Sequence, residues 1–228
     1  MTNKKKSSIV LHDAYNRPIS EKITYPIKLV QVVHITFLNE YYKGANKSLA
    51  YLEREIKKME KDDNVCMGDY DIAISTLNEM RKALIAGIFH LWLHNLQEYF
   101  TMGGEEFHPN KKIFTTIGFD SIMRVFKNIS DKDLIKTIKK YSLLTNAIKH
   151  GIGKSLVTLR TNYSEFFYPS EEYTTKYDEG YISEYAREPL VTKKHFEELY
   201  FSLIKFWENI PDRLVIDIQE FVKEKSND

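Results

Sequence analysis

The sequence predicts an all-α protein, an up-and-down bundle of four to five long helices, and three observations carry that expectation. Apolar residues recur every three to four positions over several long stretches, and capping or stop residues bracket those stretches. No pair of alternating segments is joined by a hairpin turn, and no internal repeat is present.

The elements follow in order. Residues 1–25 show no convincing period and are expected to form an extension. Pro26 suits the first turn of a helix, and Ile27, Val30, Val33/His34, Phe37/Leu38 and Tyr41 give it a broad apolar face. That helix continues past Gly44 through Leu49, Leu52, Ile56 and Met59 to the polar linker Glu60–Asn64. A second long helix is expected from about Asp69 to Phe100, with Ile74, Leu77, Met80/Arg81, Leu84, Ile88, Leu91/Trp92, Leu96 and Tyr99 on its core stripe. Its middle is apolar nearly all round, as the central helix of a bundle requires, and Gly103-Gly104 is expected to end it. A short helix follows at Asp120–Asn128.

Ser130-Asp131-Lys132-Asp133 supplies N-cap chemistry for the next helix, which buries Leu134/Ile135, Ile138, Tyr141, Leu144/Thr145 and Ile148 and stops at Gly151. Ser155–Tyr163 reads as one more short helix. A long acidic, Tyr-rich insertion, 165–191, precedes the last long helix, which runs from about Lys193 through Phe196, Leu199/Tyr200, Leu203/Ile204 and Trp207. Pro211 interrupts it, and a final short helix is expected over Asp212–Lys223. The organisation is a single domain, 1–228, with its core over about 26–164 and 192–224.

Composition narrows the function classes. The chain has 228 residues, 43% hydrophobic and 29% charged, which is ordinary globular usage and enough to bury one substantial core. A single cysteine, Cys66, excludes an intramolecular disulfide and any multi-Cys metal site. The longest nearly apolar run, Ala83–Leu93, would span only about 16 Å as a helix, roughly half a hydrocarbon core. The expected location is therefore the cytoplasm, with no membrane partner.

The net charge is +1, which argues against a surface wholly devoted to polyanions, but the distribution is uneven. From Asp131 to Arg160 seven basic residues stand against two acidic ones, and from Glu165 to Glu188 seven acidic residues stand against two basic ones. A charge run is ordinarily a solvated face. The alternative is a basic surface with a purpose beside an acidic segment able to cover it.

The segment that points most directly to chemistry is Asn146-Ala147-Ile148-Lys149-His150-Gly151-Ile152-Gly153. Asn146 and His150 are four apart and share a helix face, with Lys149 at the flank. An amide, an ammonium and an imidazole suit an anionic ligand, and imidazole as a group moves protons near neutrality. The plainer alternative is a helix C-terminus, with Lys149 and His150 near the last carbonyls and Gly151 in the left-handed conformation. His90 and His94 form a second i,i+4 pair. It lacks the Glu of a His-Glu-x-x-His metalloprotease and has Leu91, Trp92 and Leu93 between, so it reads as core or interface. His94 is retained as a secondary site residue because a contact with the Asn146–His150 helix is geometrically open.

The phrase Leu144-Thr145-Asn146-Ala147-Ile148-Lys149-His150-Gly151 resembles the signature helix of HEPN proteins, small helical bundles that include metal-independent endoribonucleases of toxin–antitoxin and phage-defence systems. Their motif is an Arg, often followed by Asn, His or Asp, and a His four to six residues after that Arg. Asn146 and His150 match, and Thr145 stands at the Arg position. The likeness covers about residues 70–160. It implies an RNA-directed protein, with His150, Asn146 and Lys149 as catalytic residues and Lys154, Lys139 and Lys140 on the RNA. It also implies a dimer whose two His150 side chains meet across a two-fold cleft. No cofactor or metal is expected. Thr145 removes a bidentate phosphate ligand, so either Lys149 supplies the charge or the protein binds RNA without cutting it. The alternative class is a non-catalytic helical interaction or regulatory subunit of a defence complex.

Overall fold

The computed structural model describes residues 22–26, 28–107, 118–126, 131–167, 188–210 and 213–217. The elements are β1 (Lys22–Pro26), α1 (Lys28–Met59), α2 (Met67–Phe107), α3 (Phe119–Phe126), α4 (Lys132–His150), α5 (Lys154–Asn162), α6 (Lys193–Glu208) and β2 (Arg213–Asp217). The all-α bundle is what the apolar period predicts, and α1 does pass through Gly44 as one 32-residue helix.

The core is organised around α2. Ile85, Ile88, Phe89, Trp92, Leu96 and Phe100 are buried along it, and α1, α4 and α6 pack on its different sides. An all-round apolar segment can only be stable if neighbours cover every face. The centre is aromatic. The Trp92 ring meets Phe206 of α6 edge-on at 5.1 Å, Phe206 meets Phe126 of α3 at 4.7 Å, and Phe126 lies 5.9 Å from Phe100. Such T-shaped and tilted pairs add about 0.5–1.5 kcal/mol each beyond the area they bury. On the other side of α6, Tyr42 of α1 stacks on Tyr200 at 3.9 Å, and His34 stacks on Trp207 at 4.7 Å. Gln31 of α1 donates to the carbonyls of Trp207 and Ile210, satisfying acceptors that the end of α6 leaves open.

Local chemistry sets the boundaries. Asp131 caps α4 by accepting from the Asp133 amide at 3.0 Å. Gly151 closes it with φ of 63°, its N–H bonded to the Ala147 carbonyl, a backbone state that favours glycine. Thr192 caps α6 by accepting from the His195 amide, while His195 Nδ1 accepts from the Thr192 amide.

Four expectations are corrected. The helix containing Gly103-Gly104 continues through both glycines to Phe107; glycine costs a helix only about 1 kcal/mol, too little to stop one by itself. The short helix expected after Pro211 is instead the strand β2, and part of the supposed extension is β1. The two pair antiparallel with Thr24 opposite Val215. A three-residue apolar run such as Leu214-Val215-Ile216 does not distinguish helix from strand by period, and its β-branched residues favour the strand. On α1, Val33 and Phe37 are 42% and 54% exposed rather than buried, because the side that faces the bundle is the one carrying Leu38, Ala45, Leu49 and Ile56. Of the Tyr-rich insertion, Phe166 and Phe167 are buried in the core, and the Leu190 amide bonds the Phe166 carbonyl at 2.6 Å, drawing its two ends together. Tyr168, Tyr173, Tyr177, Tyr181 and Tyr185 lie outside the described residues.

Gly87 marks a close approach of α1 to α2. A Cβ there would collide with the Tyr41 phenol, whose hydroxyl donates to the Leu84 carbonyl at 3.2 Å. Gly87→Ala is expected to destabilise the protein by about 1–3 kcal/mol despite better helix propensity. In a Tyr41→Phe background most of that penalty should vanish. Urea unfolding of the four proteins of this cycle measures it, and a penalty independent of Tyr41 would refute the assignment.

Candidate nucleic-acid interface

The rotation of α4 decides which of its residues meet solvent. Its inner side is held by Leu134, Ile138, Tyr141, Leu144 and Ala147, all buried. Tyr141 donates to Glu198 Oε2 of α6 at 2.7 Å, and Lys140 bonds both oxygens of the same carboxylate at 2.8–2.9 Å. Burial alone would raise the Glu198 carboxyl, but the bonds from Lys140 and Tyr141 outweigh it and hold the group below the usual carboxylate range. Burial, then the Glu198 charge, pushes the Tyr141 phenol far up, so it stays a hydrogen-bond donor.

With that side turned inward, the opposite side carries Lys132, Lys136, Lys139, Leu143, Asn146 and His150. These positions step by three and four residues along one stripe, about 27 Å long at 1.5 Å per residue. Lys132, Lys136, Lys139 and His150 are exposed, and Leu143 and Asn146 half-buried. Among the described residues, no carboxylate lies within ion-pair distance of Lys132, Lys136, Lys139, Lys149, Lys154 or His150. By contrast Lys82, Lys205 and Lys140 are all paired.

The structure thus brings together part of the expected site and disperses the rest. Asn146, Lys149 and His150 share the C-terminal end of α4, where the Lys149 cation also complements the helix dipole. Lys154 begins α5 just beyond, exposed, and Lys139 lies on the stripe. Lys140 does not serve as a free cation. It is 11% exposed, bonded to Glu198 and 3.8 Å from Glu165. His94 is 74% exposed, and its near neighbour is Glu98 of its own helix, at 4.0 Å. It is His90, one turn earlier and also exposed, that approaches the motif helix; partial burial and then the Lys149 charge lower its pKa. Neither histidine is a core residue, because Trp92 between them takes the inward position. Thr145 is 1% exposed, its hydroxyl without a partner, and lies about 140° around the helix from His150. A longer side chain at that position would point into the core.

Several polar contacts have weak sequence signatures. Asn78, Arg81 and Lys82, buried on one turn of α2, reach the Val191 amide, Glu53 and Glu188 respectively, and Lys82 also pairs with Glu79. A cleft of about 640 Å³ opens between the first turns of α4 (Asp133, Lys136, Lys140) and the end of α5 with the turn after it (Asn162, Tyr163, Glu165). Among the described residues no group of three His, Cys, Asp or Glu could hold a metal ion, and no helix is long and apolar enough to cross a membrane.

The class that fold and surface define is an all-α bundle with a basic outer helix. Comparison with family models, characterised proteins and solved structures returns no match.

His195 carries a pH signature. Burial, then the Lys140 charge, lowers its pKa to about 4, against the opposing pull of Glu198, with Lys194 and Arg81 adding to the lowering. The folded protein therefore binds fewer protons than the unfolded chain between about pH 6.5 and 4, so stability falls as pH drops through that window and is fully present above it. His195→Gln keeps an N3 side chain able to cap Thr192 but does not titrate. Urea unfolding at pH 7 and pH 4.5 should show the wild type losing on the order of 2 kcal/mol more than this variant. Equal losses would refute the assignment.

Proposed function

We propose that this chain is an RNA-directed protein of HEPN-like type, in which the outer face of α4 carries the strand and its C-terminal end carries the chemistry. The observation that supports this reading is the stripe Lys132, Lys136, Lys139, Asn146, His150, flanked by Lys149 and Lys154, whose cations meet no carboxylate among the described residues, on a chain whose net charge is only +1. Cations left without carboxylate partners attract a phosphate backbone by releasing its counterions. His150 stands at the end of that line, exposed and next to the glycine that stops the helix.

In the catalytic form of the reading, His150 takes the proton from a ribose 2′-hydroxyl. The 2′-oxygen attacks the adjacent phosphorus, the bond from phosphorus to the 5′-oxygen breaks, and water protonates the leaving oxygen, giving a 2′,3′-cyclic phosphate and a 5′-hydroxyl. Asn146, on the same face, orients the imidazole or the phosphate, and Lys149 supplies the charge that an arginine at the Thr145 position would give. The biological setting would be bacterial defence or a toxin–antitoxin pair, in the cytoplasm.

A second reading has its own observation. Val33 and Phe37 of α1 and Phe201 of α6 are more than 40% exposed, Phe201 beside the Tyr42–Tyr200 stack, and exposed apolar side chains of this kind suit a helical interaction subunit or homodimer.

Incubation of single-stranded RNA with pure protein in excess EDTA tests the first reading. Cleavage should occur, and His150→Ala should slow it by about 10²–10⁴-fold. Retained binding without cleavage would mark a protein that binds only; there Lys139→Ala should reduce the slope of log K against log salt by about 0.7. If RNA neither binds nor is cut while a protein partner or second copy associates through Phe37 and Phe201, the second reading replaces the first.

A further inference from the structure

We infer that the cleft at the N-terminal end of α4 is a base-reading pocket that takes a single guanine flipped out of the strand lying on that helix. The inference rests on the RNA reading and adds to it the part of the strand that is read and the base preferred.

Lys136 is the link between the two features. It belongs to the exposed stripe and also lines the cleft, so a backbone following Lys132, Lys136 and Lys139 passes the mouth of the cavity. At about 640 Å³ the cleft falls within the range of small-ligand sites and has room for a nucleoside. A base can enter only if it is unstacked, which selects single strands over duplex. Tyr163 supplies an aromatic side chain in the lining, the usual platform for an unstacked base.

Charge chemistry chooses among the bases. Two carboxylates, Asp133 and Glu165, line a cavity beside a basic stripe, where a site built only for phosphate would exclude them. The Asp133 side chain has no partner among the described residues, and Glu165 stands 3.8 Å from Lys140, beyond hydrogen-bonding distance. Lys140 is committed to Glu198, so among the described residues both carboxylates keep acceptor capacity for a ligand. A carboxylate accepts two parallel N–H bonds, and guanine alone among the four bases offers two adjacent donors on its pairing edge, N1–H and the exocyclic amine. The neighbouring guanine O6 is an acceptor, which matches the Lys136 ammonium, without a carboxylate partner among the described residues, and the Asn162 amide. Adenine and cytosine present one amine donor beside ring acceptors, and uracil one N–H between two carbonyls; each leaves a carboxylate oxygen facing an acceptor or nothing.

The test measures binding of 2′-fluoro decamers, which lack the hydroxyl nucleophile. One is all uridine; the others carry one central guanosine, adenosine or cytidine. The guanosine strand should bind the wild type at least tenfold more tightly than the other three. In the isosteric double variant Asp133→Asn, Glu165→Gln, with folding checked by thermal unfolding, the ratio should fall below twofold, whatever the change in overall affinity. Equal binding of all four strands, weakened together by Lys139→Ala, overturns the pocket and leaves the RNA reading standing. A guanine preference that survives the double variant, or a preference for adenosine or cytidine, also overturns it. Absence of binding by any strand overturns both.

Discussion

The rotation of α4 about its own axis is set by its buried side, Leu134, Ile138, Tyr141, Leu144 and Ala147, and by one carboxylate that clamps it. Glu198 reaches from α6 to accept from the Tyr141 hydroxyl and from Lys140, and the full burial of Tyr141 makes its hydroxyl costly to leave unmatched. Turning the helix by one residue position, about 100°, would bury lysines of the outer stripe and expose Tyr141 and Leu144. The same orientation sends Thr145 into the core and Asn146 and His150 outward. The chemistry proposed for the outer face thus depends on a polar clamp on the inner one.

That clamp has a setting. The centre of the bundle is held by non-directional aromatic packing, Trp92 against Phe206 and Phe206 against Phe126, which fills volume but specifies rotation weakly. Polar contacts at its periphery supply direction: Glu198 on α4, the Asn78–Arg81–Lys82 turn of α2 on Val191, Glu53 and Glu188, and Gln31 on the end of α6. Lys82 shows the balance of terms. Burial opposes its charge, yet Glu79 and Glu188 together keep its pKa above the ordinary lysine value. Without those carboxylates burial would be left unopposed and would pull the lysine down instead.

Much of the fold was legible because helical periodicity is local. The Asp131 cap, the Gly151 stop and the buried positions Leu134, Ile138, Tyr141 and Leu144 of α4 all follow from residue types at short spacing. The ribbon of β1 and β2 was not legible, since its strands lie nearly two hundred residues apart and neither carries a turn signal. For the candidate site the division is similar. Asn146 and His150 share a face by spacing alone, and so do Lys132, Lys136 and Lys139. The neutralisation of Lys140 could not be read, because Glu198 is 58 residues away. Nor could the exposure of both His90 and His94, which follows from Trp92 taking the inward position between them.

The sequence by itself determined a helical bundle, both ends of α4, and a basic helix finishing in Asn146, Lys149 and His150, because each depends on residues within a few turns of one another. Only the tertiary structure decided which of those cations remain free, which histidine approaches the motif helix, and that Asp133, Lys136, Tyr163 and Glu165 surround one cleft. The physical reason is that burial and charge pairing belong to surfaces formed by distant segments. They come into being when α2, α5 and α6 meet α4, and no local pattern encodes which partner a side chain will meet.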